Sequence, residues 1–265
     1  MSRPLTLLAV FAHPDDESLG VGGTLARYAA EGVDVELVCA TRGEKGRYFD
    51  NTDRPSDEEV GRTREEELRC AADVLGIRRV SFLDYVDGEL GSADPTEAVH
   101  RIVEHIHRVR PQVVVTFDPF GVYGHPDHVA ISQLTVSAVV AAASPDSGPR
   151  PHAVSKVYYS LLDAERARIH QQHFKSLGME VDGVEREVVE WPKWSITTRI
   201  SCEDRWRETW SAVRCHRTQM AIFGHLEELD EAEHRALWGT QSFYRVMSRV
   251  NGGRALETDL FAGLR

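Results

Sequence analysis

The chain has 265 residues, 42% of them hydrophobic, 8% aromatic and 28% charged, so it can bury a sizeable core and is not a disordered segment. Thirty-one Lys and Arg stand against 42 Asp and Glu, and the formal net charge of −11 argues against nucleic acid or any other polyanion as partner. The longest early apolar run, Leu5 to Ala12, falls far short of the roughly 20 residues that span a bilayer, so neither a membrane helix nor a signal peptide is expected there.

Read in chain order, Leu5 to Ala12 is a continuous apolar run of strand length, the pattern of a parallel strand covered on both faces. Leu19, Gly23, Ala26 and Ala30 then recur at helical spacing, and Val33 to Thr41 returns to β-branched character, which completes a βαβ unit. The alternation continues with a helix over Asp57 to Leu75, a strand over Val80 to Leu83, a helix over Thr96 to Arg110, a strand over Val113 to Phe117 and a helix over Pro126 to Ala143. It predicts an α/β fold, Rossmann-like and doubly wound, with a mostly parallel sheet and helices on both faces. Ser144 to Pro151 is a breaker-rich linker, after which Lys156 to Leu162 and Ser195 to Ile200 read as strands. Ser201 and Asp204 mark a helix start, with Trp206, Trp210 and Val213 on one face as core residues. The Gly-rich tail from Asn251 is read as mobile or as an oligomer contact. Cys39, Cys70, Cys202 and Cys215 show no CxxC spacing, so reduced thiols and a cytoplasmic location are expected. One domain over residues 1–265 is expected, since α/β folds reach this length as a unit.

In parallel α/β sheets ligands collect beyond the carboxyl ends of the strands, and two polar segments sit there. His13-Pro14-Asp15-Asp16-Glu17 ends the first strand, crowding three acids and a histidine into one turn. Such a cluster costs stability unless a cation neutralises it, and imidazole with carboxylate suits zinc. The plainer reading is that Asp15 or Asp16 caps the helix and His13 bonds locally. Tyr123-Gly-His-Pro-Asp-His128 follows the strand Val113 to Phe117, with Pro126 at a first helical position. A first-turn carboxylate at Asp127 gains from the helix dipole, but two histidines do not, so they ask for another cause. His13, Asp16 and His128 would supply two nitrogens and one oxygen, leaving coordination positions open as a catalytic site requires.

With Ala12-His-Pro-Asp-Asp-Glu17 and Gly124-His-Pro-Asp-His128, joined by Thr41-Arg-Gly-Glu44, Arg64-Glu-Glu-Glu67, Leu75-Gly76 and Asp87-Gly88, the chain resembles the zinc-dependent N-deacetylases of the LmbE-like, or PIG-L, family over roughly residues 5 to 135. The resemblance implies one zinc per chain on His13, Asp16 and His128, with Asp15 as general base and His125 as catalytic acid. Zinc acidifies water, Asp15 takes its proton, and His125 protonates the departing amine, so that acetate and a free amine result. Protonated His125 or the Tyr123 hydroxyl would stabilise the oxyanion, and Asp127 would orient His125. The substrate implied is an N-acetylated amino sugar or its conjugate, of N-acetylglucosaminyl type. Arg64 shares an apolar helical stripe with Val60, Leu68, Ala71 and Leu75; it is read as binding a sugar hydroxyl or phosphate, against a structural ion pair with Glu67 or Glu17. Asp87 is read either as a second sugar contact or as an ordinary turn carboxylate. The charged loop Glu44 to Asp57 is read as a flap over the site, Glu17 as a helix-start acid, and His216-Arg-Thr-Gln219 as a family element that packs and hydrogen-bonds.

Three other functions are compatible with parts of this pattern. A zinc amidase of the same family would cleave a larger acyl group, and a noncatalytic sugar-binding protein would keep the fold without turnover. A dinucleotide-dependent oxidoreductase would use Gly20-Val-Gly-Gly23, but GxGxxG would need glycine where Leu25 stands. Residues 1–143 carry the recognisable chemistry, and residues 144–265 are expected to shape substrate choice.

Overall fold

The computed structural model describes residues 4–173, 179–181 and 183–265. Strand β1 (Thr6–Phe11) is the apolar run read from the sequence, and all its side chains are buried. It is followed by α1 (Asp16–Ala30), β2 (Asp34–Thr41), α2 (Asp57–Leu75), β3 (Arg79–Tyr85), α3 (Pro95–Val109) and β4 (Val113–Phe117). A single irregular turn, α4 (Gly121–Gly124), leads into α5 (Pro126–Ala142), β5 (Lys156–Leu161) and α6 (Ala164–His173). Then come a short hairpin of β6 (Met179–Val181) and β7 (Val184–Arg186), strand β8 (Thr198–Ser201), helices α7 (Trp206–Cys215), α8 (Met220–Phe223) and α9 (Glu231–Trp238), and β9 (Thr240–Ser248).

Seven strands form one sheet in the order β3-β2-β1-β4-β5-β9-β8. β1 pairs parallel with β2 and β4, and β5 pairs parallel with β4, whereas β9 runs antiparallel to both β5 and β8. This is the mostly parallel α/β sheet that the alternation predicts. Helix ends follow the local chemistry: Ser56 caps α2 through Glu59 N, Gly76 ends it at φ 73, and Asp94 caps α3 just before Pro95. Gly22 and Gly23 let α1 approach α7 and the turn after β8 closely, since a Cβ at Gly22 would lie 3.2 Å from Thr209 Cγ2 and one at Gly23 2.6 Å from Cys202 Cβ. These glycines serve helix packing and form no phosphate loop, which disposes of the dinucleotide reading.

The second half was less readable. β8 begins at Thr198, after a 3-10 turn over Lys193–Ser195, instead of at Ser195. β9 carries no clear apolar alternation because its buried positions include Gln241 and Ser242, whose polar groups meet Thr24 N and Asp163. Trp206 and Val213 are core residues as expected, packed with Leu226, Leu237 and Trp238. Two of the four thiols depart from expectation: Cys70 and Cys215 form a disulfide, because the packing of α2 on α7 brings their Cα atoms to 5.8 Å across a sequence separation of 145. Cys39 and Cys202 are free and buried. Among the described residues no helix is long and apolar enough to cross a membrane.

The tail after Asn251 is docked, with Leu260 and Phe261 fully buried. Glu257 anchors it: its carboxylate accepts from Lys156 Nζ at 2.7 Å, Tyr158 Oη at 2.8 Å, Thr198 Oγ1 at 2.9 Å and Asn251 Nδ2 at 2.6 Å. Burial opposes ionisation of this carboxyl, but the Lys156 bond and its companions outweigh it and hold the group down at about 2. A depressed carboxylate contributes stability above its unfolded value and loses it as pH falls. Wild type is therefore expected to lose this stability between about pH 4.5 and 2. Glu257→Ala, which strands the buried Lys156 ammonium, is expected to cost about 3–5 kcal/mol at neutral pH in denaturant titration. A neutral-pH loss below 1 kcal/mol would refute the anchor.

Candidate active site

The chain leaves β1 toward β2 on one side, and β4 toward β5 on the other, so the adjacent carboxyl ends of β1 and β4 open a crevice at the topological switch point. Both polar segments lie in it. After β1, Asp15 stands at the N-cap of α1 with φ 104, a left-handed conformation that costs energy outside glycine. After β4, Gly121 turns at φ 62, where a Cβ would come within 2.7 Å of His128 Cβ, and the β-branched Val122 is held at φ 65 and ψ −65. Pro126 opens α5, and His125 caps it, Nδ1 accepting from Asp127 N at 3.2 Å.

Three side chains converge. His13 Nδ1 lies 3.1 Å from His128 Nε2, and Asp16 places Oδ2 3.7 Å from His13 Nδ1 and Oδ1 3.4 Å from His128 Nε2. Tetrahedral ligands bonded at 2.0–2.2 Å stand roughly 3.4 Å apart, so this donor set fits a zinc-sized cation. All three are buried, and His125 lies beside them, its ring centre 4.7 Å from that of His13 and 4.9 Å from that of His128. The His128 ring stacks on Phe117 at 4.0 Å, which fixes its plane. Burial pushes the His13 imidazole down, but bonds to Asp127 and Asp87 and the charge of Asp16 outweigh it and raise it to about 10. Burial raises Asp16 to about 7 against the pull of His13, and burial beside His13 and His125 pushes His128 well down.

The other nitrogen of His13 is held from behind. Its Nε2 is 3.0 Å from Asp87 Oδ1 and 3.3 Å from Asp127 Oδ2, while Asp127 also accepts from Gly88 N and Leu90 N at 2.7 and 3.1 Å. Carboxylates behind a histidine orient the ring and raise its basicity toward a metal. Asp87, read as a sugar contact or turn carboxylate, is thus engaged with His13. Asp127, expected to orient His125 with its carboxylate, directs it at His13 and meets His125 through its backbone N–H.

Arg64 reaches the site by a route the sequence did not suggest. Its guanidinium donates to Gly43 O at 2.8 Å, Pro14 O at 2.5 Å and Asp15 Oδ2 at 3.0 Å, and the side chain is buried. Its ion-pair partner is therefore Asp15, not Glu67 or Glu17, and its terminal nitrogens are occupied internally. Burial raises the Asp15 carboxyl, and Arg64 opposes that shift. Glu17, read as a helix-start acid, is fully buried; Oε2 accepts from Asp15 N at 3.1 Å, and Oε1 meets His216 Nε2 at 2.9 Å. Burial acts against the charge, yet His216 holds Glu17 low while Glu17 raises His216. Glu17 thus braces the strained Asp15 backbone. The inward stripe of Glu17, Val21, Thr24 and Tyr28 at helical spacing was the signal available for it. Glu67 takes Thr218 N and Oγ1 at 2.9 and 2.7 Å. The loop from Glu44 to Asp57 is pinned to that segment, Phe49 N to Thr218 O and Gln219 Nε2 to Arg47 O.

A cavity of about 340 Å³ opens from Asp15, Asp16, Tyr123 and His128 and continues along Leu19, Phe117, Leu161, Leu162, Ile222 and Phe223. Burial pushes the Tyr123 hydroxyl far up, so it stays protonated as a donor. Neither Arg64 nor Asp87 lines this cavity.

Compared with known proteins, residues 8–139 match the family described as PIG-L, GlcNAc-PI de-N-acetylase. A 1D-myo-inositol 2-acetamido-2-deoxy-alpha-D-glucopyranoside deacetylase of Kineococcus radiotolerans is 34% identical over an alignment covering 100% of this chain and 84% of that protein. A mycothiol S-conjugate amidase of Streptomyces coelicolor is 31% identical, covering 100% and 99%. Among solved structures, the N,N'-diacetylchitobiose deacetylase of Pyrococcus horikoshii superposes with a TM-score of 0.68 at 21% identity, covering 91% of this chain and 83% of that one, a likeness of fold.

Proposed function

The chain belongs to the PIG-L family of de-N-acetylases, and on that premise we propose that it is a zinc-dependent hydrolase removing the N-acetyl group of an N-acetylglucosaminyl conjugate. The observation that carries the reading is the convergence of His13, Asp16 and His128 within 3.1–3.7 Å of one another, with Asp15 adjacent in the chain. Both relatives align over the whole chain, and the higher identity to the deacetylase, 34% against 31% for the amidase, favours acetyl over a larger acyl group.

A zinc ion on His13, Asp16 and His128 would polarise the amide carbonyl and acidify water. Asp15 takes the proton of the attacking water, its carboxylate steered by Arg64 and its backbone braced by Glu17. The Tyr123 hydroxyl donates to the oxygen that gains negative charge. His125 delivers a proton to the amine nitrogen, which cannot leave unprotonated. Asp87 and Asp127 keep His13 in the orientation that turns Nδ1 toward His128 and Asp16.

The direct test loads the protein with zinc and follows acetate and amine release from N-acetylglucosaminyl-inositol and from N-acetylglucosamine; absence of both products with bound zinc would sink the reading. Tyr123→Phe is expected to lower kcat by about 10²-fold with KM little changed, as loss of one oxyanion donor does. A pure KM effect would move Tyr123 from transition-state stabilisation to substrate binding.

The single-domain reading belongs to this proposal, supported by β5, β9 and β8 completing the sheet that carries the site. So does a cytoplasmic location, in which the Cys70–Cys215 pair is expected to be reduced. Alkylation and mass analysis of protein taken directly from cells distinguishes the two states.

A further inference from the structure

We infer that Arg186 forms a recognition subsite for the group that the substrate's amino sugar carries at its anomeric carbon, and that this group presents a pair of oxygen acceptors. The inference rests on the deacetylase reading and specifies its substrate. The segment after β7 lies over the catalytic turn: Val189 N donates to Val122 O at 2.8 Å, and Val188 lines the cavity. Arg186 itself reaches Gly124, where an added Cβ would lie 3.5 Å from both its Cδ and its Nη1. Its guanidinium therefore sits against the residue preceding His125, the group that protonates the amine.

Arg186 is half-buried, yet among the described residues no carboxylate lies within ion-pair distance of it, and its buried Nε has no hydrogen-bond partner. Arg64 also has an unmet Nε, but both of its terminal nitrogens are occupied by Asp15 and two carbonyls. An unmet buried donor costs stability unless a ligand or water satisfies it. Arg64 and Asp87 are engaged internally, and of the polar side chains that line the cavity the Arg166 guanidinium donates to Leu19 O and Gly20 O, whereas Arg186 stands beside the cavity next to Val188 with its Nε unmet. A planar guanidinium matches two oxygen acceptors side by side, as offered by vicinal hydroxyls or by a phosphate or carboxylate.

The experiment compares wild type, Arg186→Ala and Arg186→Lys on three probes: N-acetylglucosamine, its 1-phosphate and N-acetylglucosaminyl-inositol. Arg186→Ala is expected to raise KM roughly 10- to 100-fold on a probe carrying the acceptors, leaving kcat and all constants for N-acetylglucosamine near wild type, with Arg186→Lys between. Loss confined to the 1-phosphate and erased by salt identifies an acidic group; loss on the inositol conjugate as well identifies hydroxyls. Equal effects on all three probes, or none on any, would overturn the subsite. Calorimetric binding of the same probes to wild type and Arg186→Ala gives a readout that does not need turnover. A protein that binds but hydrolyses none of them refutes the deacetylase reading, while the affinity difference still judges Arg186.

Discussion

Asp15→Asn is expected to retain zinc and lose turnover by about 10³-fold or more, the upper range for removal of a positioned general base. Asparagine is the informative replacement because it tolerates positive φ and keeps an oxygen for Arg64, whereas alanine would add backbone strain at φ 104. The variant still loses the carboxylate that faces a buried guanidinium, so its melting temperature should fall modestly. Zinc content, melting and steady-state rates measured on one preparation separate base loss from unfolding. Turnover within tenfold of wild type, with zinc bound, would remove Asp15 from the base role.

His128→Ala is expected to weaken zinc binding by more than about 100-fold, beyond what loss of an outer-shell partner costs. In the wild-type site the affinity should also climb with pH. The His13 imidazole is held up at about 10 and the Asp16 carboxyl at about 7 when no cation is present, so metal must displace protons from both at neutral pH and below. Between pH 7 and 10 one proton is displaced, which predicts about one decade of affinity per pH unit, steepening below pH 7 as Asp16 protonates. Competition against a chelator at several pH values reads this slope directly. A flat profile would mean that His13 is not a ligand, and unchanged zinc content in folded His128→Ala would reject the second histidine.

Much of this site could be read before any coordinates, because the information is local. His13 and Asp16 lie within five residues of the end of β1 and His128 eleven past β4, both strands legible from their apolar character, and the switch-point rule brings the ends of β1 and β4 together. The side chains that serve these residues were harder to place, because their partners are remote in sequence. Asp127 and Asp87 could not be assigned to His13 without the geometry of the turn after β3, and the pairing of Glu17 with His216 spans 199 positions. Arg64 on its apolar stripe reads as a buried charge needing a partner, but helical spacing names the face and not the group opposite. The later strands were obscured for a different reason: β8 is short, and β9 buries Gln241 and Ser242 among its apolar residues, so periodicity fades where hydrogen bonding replaces oil.

The bond between Cys70 and Cys215 joins the helix that carries Arg64 and Glu67 to the residue immediately before His216. A backbone cut at any point from Ala71 to Arg214, including the exposed stretch near Gly148, would leave two fragments still fastened beside Asp15. The oxidised molecule thus resists dissociation after nicking, whereas the reduced one depends on noncovalent grip alone to keep its halves in register.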